Sequence, residues 1–268
     1  GLCKPFLGRS ELKIIRAASE IALDAFKNKR NVNGEPYIFT SFDIARIVVE
    51  ELGLGRISIV ASLLYKAYEE GKITKASIVK DFGTETMIII DGVNIISSIS
   101  SSESSLQSDN LKQFLMTLAA DVRVLLLKLA IEVFRLRNIH FVDKKLHERV
   151  SLEASHLYAP LAHQMGLYNI KGELEDLAMK ISKPDLYRNI DKRLQETQIE
   201  RQNFVKDFID PIKAELDKRK LKAEIKWRTK RVNSIYRKMK SQNIEFEEVY
   251  DKFAIRLVLE SKPANEKS

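Results

Sequence analysis

The sequence of 268 residues contains a single cysteine, Cys3. One thiol excludes an internal disulfide and a cysteine-rich metal cluster, and it is consistent with a reducing compartment. Long apolar runs are also missing: the longest candidate, residues 87–99, is interrupted by Asp91 and Asn94, whereas a membrane span needs about 20 apolar residues. No long apolar segment follows the basic amino terminus, so the sequence predicts no signal peptide. We therefore expect a cytoplasmic protein without a membrane partner.

Positive charge is concentrated in residues 219–240, which carry ten basic side chains and one acid, Glu224. This stretch has a formal charge of +9 (10 − 1), whereas the whole chain has +8, so the other residues sum to about −1. The charge is a local feature, and its natural partner is an anion.

The pattern around these charges indicates how they are presented. Alternation of apolar and charged residues over 223–227 predicts a strand with one buried face. Apolar side chains at helical spacing predict a helix over 231–240. Residues 253–259 are apolar on both faces apart from Arg256, which is typical of a strand inside a sheet.

This order of elements suits phosphate chemistry. Arg228 and Lys230 are predicted to lie in the turn at the helix N-terminus, where free N–H groups favour anions, and Lys238 two turns further on. Asp251, just before the second strand, is a candidate Mg²⁺ ligand, because Mg²⁺ often binds one or two carboxylates plus substrate phosphates. On spacing alone, a solvated basic helix beside an ordinary strand is the simpler interpretation.

Residues 227–239, Trp-Arg-Thr-Lys-Arg-Val-Asn-Ser-Ile-Tyr-Arg-Lys-Met, and 246–257, Phe-Glu-Glu-Val-Tyr-Asp-Lys-Phe-Ala-Ile-Arg-Leu, resemble the opening of the synthetase domain of RelA/SpoT homologues. The resemblance implies transfer of the pyrophosphate of ATP to the 3′-hydroxyl of GTP or GDP, which makes the stringent-response alarmone (p)ppGpp. It assigns the ATP phosphates to Arg228, Lys230, Ser234 and Lys238, and Mg²⁺ to Asp251. Trp227 and Thr229 stand where the family usually has Gly and Pro.

The resemblance also implies that residues 1–268 are a fragment. The family's second catalytic carboxylate and its guanosine-binding tyrosine lie further along the chain, so we expect no synthesis from this chain by itself. ATP and GTP or GDP would be the partners of the complete protein, together with the ribosome or regulatory proteins through C-terminal regions.

Residues 1 to about 190 show the apolar period of a helical array. Within it, the serine-rich residues 97–109 predict a mobile loop, and residues 111–136 predict a long amphipathic helix. Residues 34–39, 121–130 and 158–163, the last reading Tyr-Ala-Pro-Leu-Ala-His, resemble the HD-type hydrolase domain that precedes the synthetase in the same family.

That domain, when active, hydrolyses (p)ppGpp with Mn²⁺ held by histidines and aspartates. In this sequence its metal-ligand positions fall on Thr40, Tyr65, Lys66 and Ile131. The family's base-holding Arg-Lys falls on residues 31–32, and only Glu69 and Glu70 keep its acidic pair, which we expect to be solvated or capped. An ammonium group at residue 66 repels a cation at ligand distance, so we expect no Mn²⁺ and an inert, regulatory domain.

The predicted fold is mainly α: a degenerate HD-type domain over 1–184, connecting helices over 185–220, and the start of an α/β, nucleotidyltransferase-like synthetase domain over 221–268. Two alternatives remain open from the sequence. One is a regulatory pseudoenzyme in which both centres have failed. The other is a nucleic-acid-binding module built on residues 219–240, although only Trp227 and Tyr236 interleave aromatic rings there.

Overall fold

The computed structural model describes residues 7–100, 121–219 and 221–259. The chain divides into two compact units, Gly1–Ala178 and Met179–Ser268. The predicted boundary at residue 184 and the 185–220 connecting segment remain predictions. Within the described ranges, no helix combines the length and the apolar content needed to cross a bilayer.

The first unit is built from helices joined by short turns. Its helices are α1 (Arg9–Phe26), α2 (Ile38–Glu50), α3 (Arg56–Glu69), α4 (Lys75–Phe82), α5 (Thr84–Ser100), α6 (Val122–Arg137), α7 (His147–Glu153), α8 (Ala159–Gln164) and α9 (Tyr168–Ser182), the last of which continues into the second unit. Short 3₁₀ turns at Ile139–Phe141 and Lys144–Leu146 and a π turn at Ala154–Tyr158 complete the path.

Local sequence explains where several of these helices begin and end. The Thr74 hydroxyl accepts the Ser77 N–H at the start of α4, and the Asp121 carboxylate accepts the Arg123 N–H at the start of α6. Such caps satisfy backbone donors that the helix leaves without a partner, and each contributes about 1 kcal/mol. Gly83 separates α4 from α5 at φ 90°, a conformation that side-chain-bearing residues rarely adopt.

The core of the first unit has α3 at its centre. Leu63 and Leu64 of α3 are at most 2% exposed, as are Ile90 of α5 and Leu127 of α6. Burying one such side chain contributes about 1.5–3 kcal/mol, so the core fixes the positions of α3 and α6 firmly. These two helices carry Tyr65, Lys66 and Ile131, three of the four positions at which the sequence predicts a lost metal ligand.

The second unit joins helices to a small antiparallel sheet. It contains α10 (Pro184–Glu196), α11 (Gln198–Lys218), β1 (Ala223–Thr229), α12 (Val232–Gln242) and β2 (Phe253–Leu259). β1 and β2 pair antiparallel from Ala223 opposite Leu259 to Thr229 opposite Phe253. The helices enclose a separate apolar cluster, which consists of Met179, Ile190, Leu194, Val232, Ile235, Phe246 and Val249.

The mainly α fold class predicted from the sequence is confirmed, and three details differ. Of the predicted loop at residues 97–109, positions 97–100 belong to α5, and positions 101–109 lie outside the described residues. Of the predicted helix at 111–136, positions 111–120 likewise lie outside them, and α6 begins at Val122. A strand inside a sheet was the prediction for 253–259, but β2 has β1 as its only partner among the described strands.

The predicted buried face of β1 is incomplete. Ala223 and Ile225 are half-buried, whereas Trp227 is 40% exposed. Among the described helices, α11 contacts the sheet most closely, with the Phe204 and Phe253 rings 5.6 Å apart. A single helix covers too little of the sheet to bury every inward-facing residue of the strand.

Candidate functional site

Asp251 and Lys230 lie side by side at one end of the two-stranded sheet. Lys230 follows β1 directly, and Asp251 precedes β2 by two residues. The pairing continues past the last residue pair, because the Lys230 N–H donates to the Lys252 carbonyl at 2.8 Å. The strand register therefore places a carboxylate and an ammonium group, 21 residues apart in sequence, within contact distance.

Lys238 reaches the same carboxylate from helix α12. Its amine donates to Asp251 Oδ1, while the Lys230 amine donates to Oδ2. All three side chains are partly open to solvent, with exposures of 45% for Asp251, 34% for Lys230 and 31% for Lys238. The hydrogen bonds from Lys230 and Lys238 lower the pKa of Asp251 to about 2, against a small opposing effect of burial.

The apolar cluster of the second unit holds α12 in place beneath this site. Val232 and Ile235 of α12 are at most 4% exposed and pack with Leu194 of α10. On the same helix, the Tyr236 hydroxyl accepts a hydrogen bond of 2.9 Å from Lys183. This contact and the nearby charge lower the pKa of Tyr236. No sequence pattern predicts this hydrogen bond, because 53 residues separate the two side chains.

The structure corrects the predicted position of Arg228. This residue lies within β1, opposite Ala254, and not in a turn at the helix N-terminus. Trp227 and Thr229, which replace the family's Gly and Pro, both suit a strand, so the strand continues through residue 229. Lys230 does lie in the predicted turn, two residues before α12 begins, and Ser234 is exposed in the first turn of that helix.

Asp251 suits Mg²⁺ as a hard oxygen ligand on an accessible surface. Across the ranges 7–100, 121–219 and 221–259, no three His, Cys, Asp or Glu side chains come close enough to hold a metal ion. The described residues therefore offer Mg²⁺ fewer than three such ligands at any one place, and the remaining oxygen ligands would have to come from a substrate or water.

The first unit contains a cavity of about 340 Å³ that is lined by all four residues at which the sequence predicts a lost metal ligand. Thr40 of α2, Tyr65 and Lys66 of α3, and Ile131 of α6 line it, together with the Asn31 and Val32 that replace the family's base-holding pair. Residues that are up to about 100 positions apart in sequence thus converge on one space. The assignment of these positions to a common site was made from sequence motifs alone.

The acids near this cavity are exposed, in agreement with the expectation that they are solvated, and each is also paired with a lysine. Lys66 donates to Glu69 at 2.9 Å, and Lys29 donates to Glu70. Burial opposes ionisation of Glu70, but Lys29 outweighs that effect and lowers its pKa. The Glu69 and Glu70 charges are therefore balanced by cations of the chain itself.

The groups around the cavity do not fit Mn²⁺. Thr40 and Ile131 offer a hydroxyl and an alkyl group, and Lys66 offers an ammonium group. Burial and the neighbouring Tyr37 and Glu69 raise the pKa of Tyr65 well above its ordinary value, so its phenol is neutral. Mn²⁺ prefers carboxylate, imidazole and water ligands, none of which these four side chains supply.

A buried ion pair beside the cavity was not foreseen from the sequence. Lys128 and Glu132 of α6 are 7% and 2% exposed and 2.8 Å apart. Burial disfavours both charges, but Lys128 and Arg135 lower the pKa of Glu132, and Glu132 raises that of Lys128. Their spacing of four residues is a signal for pairing on a helix, although it does not show that the pair is buried.

Comparison with known proteins agrees with this geometry. The family model described as "HD domain" matches residues 18–168. A protein named GTP pyrophosphokinase from Myxococcus xanthus is 33% identical over 95% of this chain and 34% of its own length. A protein named guanosine-3′,5′-bis(diphosphate) 3′-pyrophosphohydrolase from Aquifex aeolicus is 30% identical over 93% of this chain and 36% of its own length.

A third relative, a probable guanosine-3′,5′-bis(diphosphate) 3′-pyrophosphohydrolase from Synechocystis, is 32% identical over 90% of this chain and 32% of its own length. The chain spans about one third of the length of these relatives. Both the matched family model and the relatives cover the helical unit with its cavity. The chain therefore belongs to the HD domain family and is a member of the RelA/SpoT homologues.

Proposed function

We propose that the second unit is the ATP-binding part of a (p)ppGpp synthetase site, and that the parent protein transfers pyrophosphate from ATP to the 3′-hydroxyl of GTP or GDP. The observation that supports this most is the meeting of Lys230, Lys238 and Asp251 at one end of the sheet. Two lysines and one carboxylate are the groups needed to hold a polyphosphate and its metal ion.

Each residue has a distinct role in this proposal. Lys230 and Lys238 bind phosphate oxygens as cations on flexible stems, and Ser234 donates a hydroxyl hydrogen bond from the first turn of α12. Arg228, on β1, binds phosphate through its planar guanidinium group, which can form two parallel hydrogen bonds. Asp251 holds Mg²⁺, which when bound neutralises negative charge that develops on the transferred phosphates.

The chemistry is a displacement at the β-phosphorus of ATP. The 3′-hydroxyl oxygen of the acceptor forms a bond to that phosphorus, the bond to the oxygen of the α-phosphate breaks, AMP leaves, and the hydroxyl proton is released. Catalysis of such a step depends mostly on positioning and charge stabilisation. The described residues supply those functions for the donor nucleotide.

For the first unit we propose a regulatory role without hydrolysis. At the four positions predicted to have held the metal, the cavity has no carboxylate and no imidazole, and a metal-activated water is what hydrolysis in an HD domain requires. A domain of this kind acts on an attached catalytic domain if its contacts differ between two conformations of that domain.

The test uses the parent protein, including the segments that follow residue 268 in it, with Mg²⁺, labelled ATP and GTP. We expect labelled pyrophosphate on GTP, and a loss of at least roughly a hundredfold in rate for Asp251→Ala, since metal stabilisation of transferred phosphate contributes several kcal/mol. Glu224→Ala is the matched control, because this β1 carboxylate is paired with a lysine away from the site.

A parallel assay for ppGpp hydrolysis with Mn²⁺ examines the first unit, and we expect no turnover. Absence of product in both assays would favour the pseudoenzyme alternative. The nucleic-acid alternative predicts binding to RNA or DNA that falls steeply with salt and shows no preference for ATP. Turnover of ppGpp by the unaltered protein would contradict the regulatory role.

A further inference from the structure

Both oxygens of the Asp251 carboxylate are engaged by lysines of the same chain. Each oxygen keeps a further lone pair, but a metal ion that binds this carboxylate while both lysines stay in place is repelled by two ammonium groups a few ångströms away. We propose that the site accepts Mg²⁺ only together with a polyphosphate, which draws Lys230 and Lys238 away from Asp251 and supplies the missing metal ligands. This inference rests on the proposed function of the second unit.

The local charge favours this order of events. Two ammonium groups and one carboxylate give the cluster a net charge of +1 (2 − 1), and Lys252 lies beside Asp251 in sequence. A free divalent cation is repelled by such a cluster, whereas a polyphosphate is attracted. Once phosphate oxygens accept the hydrogen bonds of the two lysines, the negative charge of Asp251 is uncompensated and attracts the metal ion.

The number of available ligands leads to the same conclusion. Mg²⁺ binds six oxygen atoms in near-octahedral geometry and is reluctant to lose its water. Among the described residues, Asp251 is the carboxylate that contacts Lys230 and Lys238, and these residues contain no cluster of three acidic, histidine or cysteine side chains. Asp251 alone forms a single weak contact with Mg²⁺. A nucleotide that contributes two phosphate oxygens completes a chelate around the ion.

The lysine contacts are loose enough to exchange. Lys230 and Lys238 are about one third exposed and Asp251 nearly half exposed. Ion pairs with that exposure contribute little net stability, and lysine holds its charge on a flexible four-carbon stem. The rest of the site need not rearrange, because α12 is fixed by Val232 and Ile235 in the apolar cluster.

The test measures binding, not turnover, on the chain of 268 residues. Trp227, the single tryptophan, lies in β1 next to Arg228, and its fluorescence reports on the sheet end. MgCl₂ alone, ATP in the presence of a chelator, and ATP with excess Mg²⁺ are titrated separately, with calorimetry as a second readout. We expect no saturable binding of Mg²⁺ alone, weak binding of ATP, and roughly tenfold tighter binding of ATP with Mg²⁺, a coupling of ordinary size.

The Asp251→Asn variant distinguishes a metal-binding role of Asp251 from a purely structural one. It frees both lysines, so metal-free ATP should bind roughly three- to tenfold more tightly, the range expected from removing two exposed ion pairs. The Mg²⁺ enhancement should disappear in the same variant. Glu224→Gln is the control, since it removes a carboxylate 2.9 Å from Lys226 on the same strand but leaves the cluster intact.

Each other outcome has a defined meaning. Saturable binding of Mg²⁺ alone, or an enhancement that survives Asp251→Asn, overturns the inference and leaves the proposed function standing. ATP that fails to bind with or without Mg²⁺ overturns both. Equal gains in metal-free ATP affinity for Asp251→Asn and Glu224→Gln show a general charge effect and also overturn the inference.

Discussion

The cavity at Thr40, Tyr65, Lys66 and Ile131 and the cluster around Asp251 both gather side chains from separate elements, but they differ in what those side chains can do. At the cavity, three helices bring together groups that do not bind a metal. At the cluster, a strand register and one helix bring together two lysine ammonium groups and a carboxylate, to which the proposed function assigns phosphate and metal binding.

The difference shows that the geometry of a site and its chemistry are set by different residues. Positions around the cavity are fixed by buried residues of α3 and α6, such as Leu64 and Leu127. Substitution at the cavity wall leaves this core untouched, so the space persists when its ligands are lost. The Asp251 cluster lies on a much smaller core and keeps the charged groups themselves.

The largest expected effect comes from placing metal-binding side chains at the four cavity positions. We expect Thr40→His, Tyr65→His, Lys66→Asp and Ile131→Asp combined to create a Mn²⁺ site. At an effective dielectric constant near 20, one unit charge about 4 Å from a divalent ion interacts with it by about 8 kcal/mol. Solvent screening of the partly exposed Lys66 reduces this, and we expect its removal to raise the affinity by at least roughly a thousandfold. Electron paramagnetic resonance of added Mn²⁺ measures the binding.

The matched control keeps Lys66 and changes the other three positions, and it should not bind Mn²⁺. If the fourfold variant folds but shows no gain over this control, the four positions do not form a preserved metal geometry. Circular dichroism establishes that both variants keep their helices.

A second test concerns the carboxylate that the cavity does not use. Glu132→Gln leaves Lys128 buried beside a neutral amide, and we expect a loss of about 3 kcal/mol in unfolding free energy, the usual cost of breaking a buried pair. Lys128→Met combined with Glu132→Leu removes both charges and should return to within about 1 kcal/mol of the original protein. Urea unfolding measures both values, and equal losses in the two variants would contradict the prediction.

A third test changes the packing behind the cavity wall. A Cβ atom on Gly92 of α5 would lie 2.7 Å from both Cγ atoms of Val124 on α6. We expect Gly92→Ala to lower the free energy of unfolding by about 1 kcal/mol. The cost of overpacking, about 1–3 kcal/mol, is partly offset by the better helix propensity of alanine. Thermal unfolding measures the loss. Adding Val124→Ala relieves the clash, so the double variant should lose less stability than the two single variants lose together. A loss equal to the sum of the two single losses would contradict this explanation.

The smallest expected effect is a pH dependence at the cavity rim. Lys29 lowers the pKa of Glu70, so the folded protein holds fewer protons than the unfolded chain between the two pKa values. The stabilisation is present above the ordinary glutamate pKa and is lost as pH falls through the lowered one. We expect Glu70→Gln to lower the free energy of unfolding by less than about 1 kcal/mol at neutral pH, because the ion pair is partly exposed. In strong acid the substitution should have no effect on this free energy. A difference in unfolding free energy that does not change with pH would contradict this assignment.

Much of the Asp251 cluster could be predicted from the sequence, because its residues occur in short motifs. Asp251, Lys230 and Lys238 were selected by spacing and resemblance, and the structure brings these three together. Arg228 was assigned to a turn because the motif alone does not show how far a strand extends. Residues 97–100 were assigned to a loop because serine-rich composition favours disorder, yet they continue α5.

The sequence by itself determined the helical character of the chain, the local concentration of positive charge and the residue types at positions 40, 65, 66 and 131, from which the loss of a metal site is predicted. These are properties of residue type and spacing along one segment. Only the tertiary structure decided which charges meet: Lys29 with Glu70, Lys183 with Tyr236, and both lysines with Asp251. Contacts across tens of residues depend on how helices and strands pack, and packing is fixed by the buried core, not by the polar residues that the core brings together.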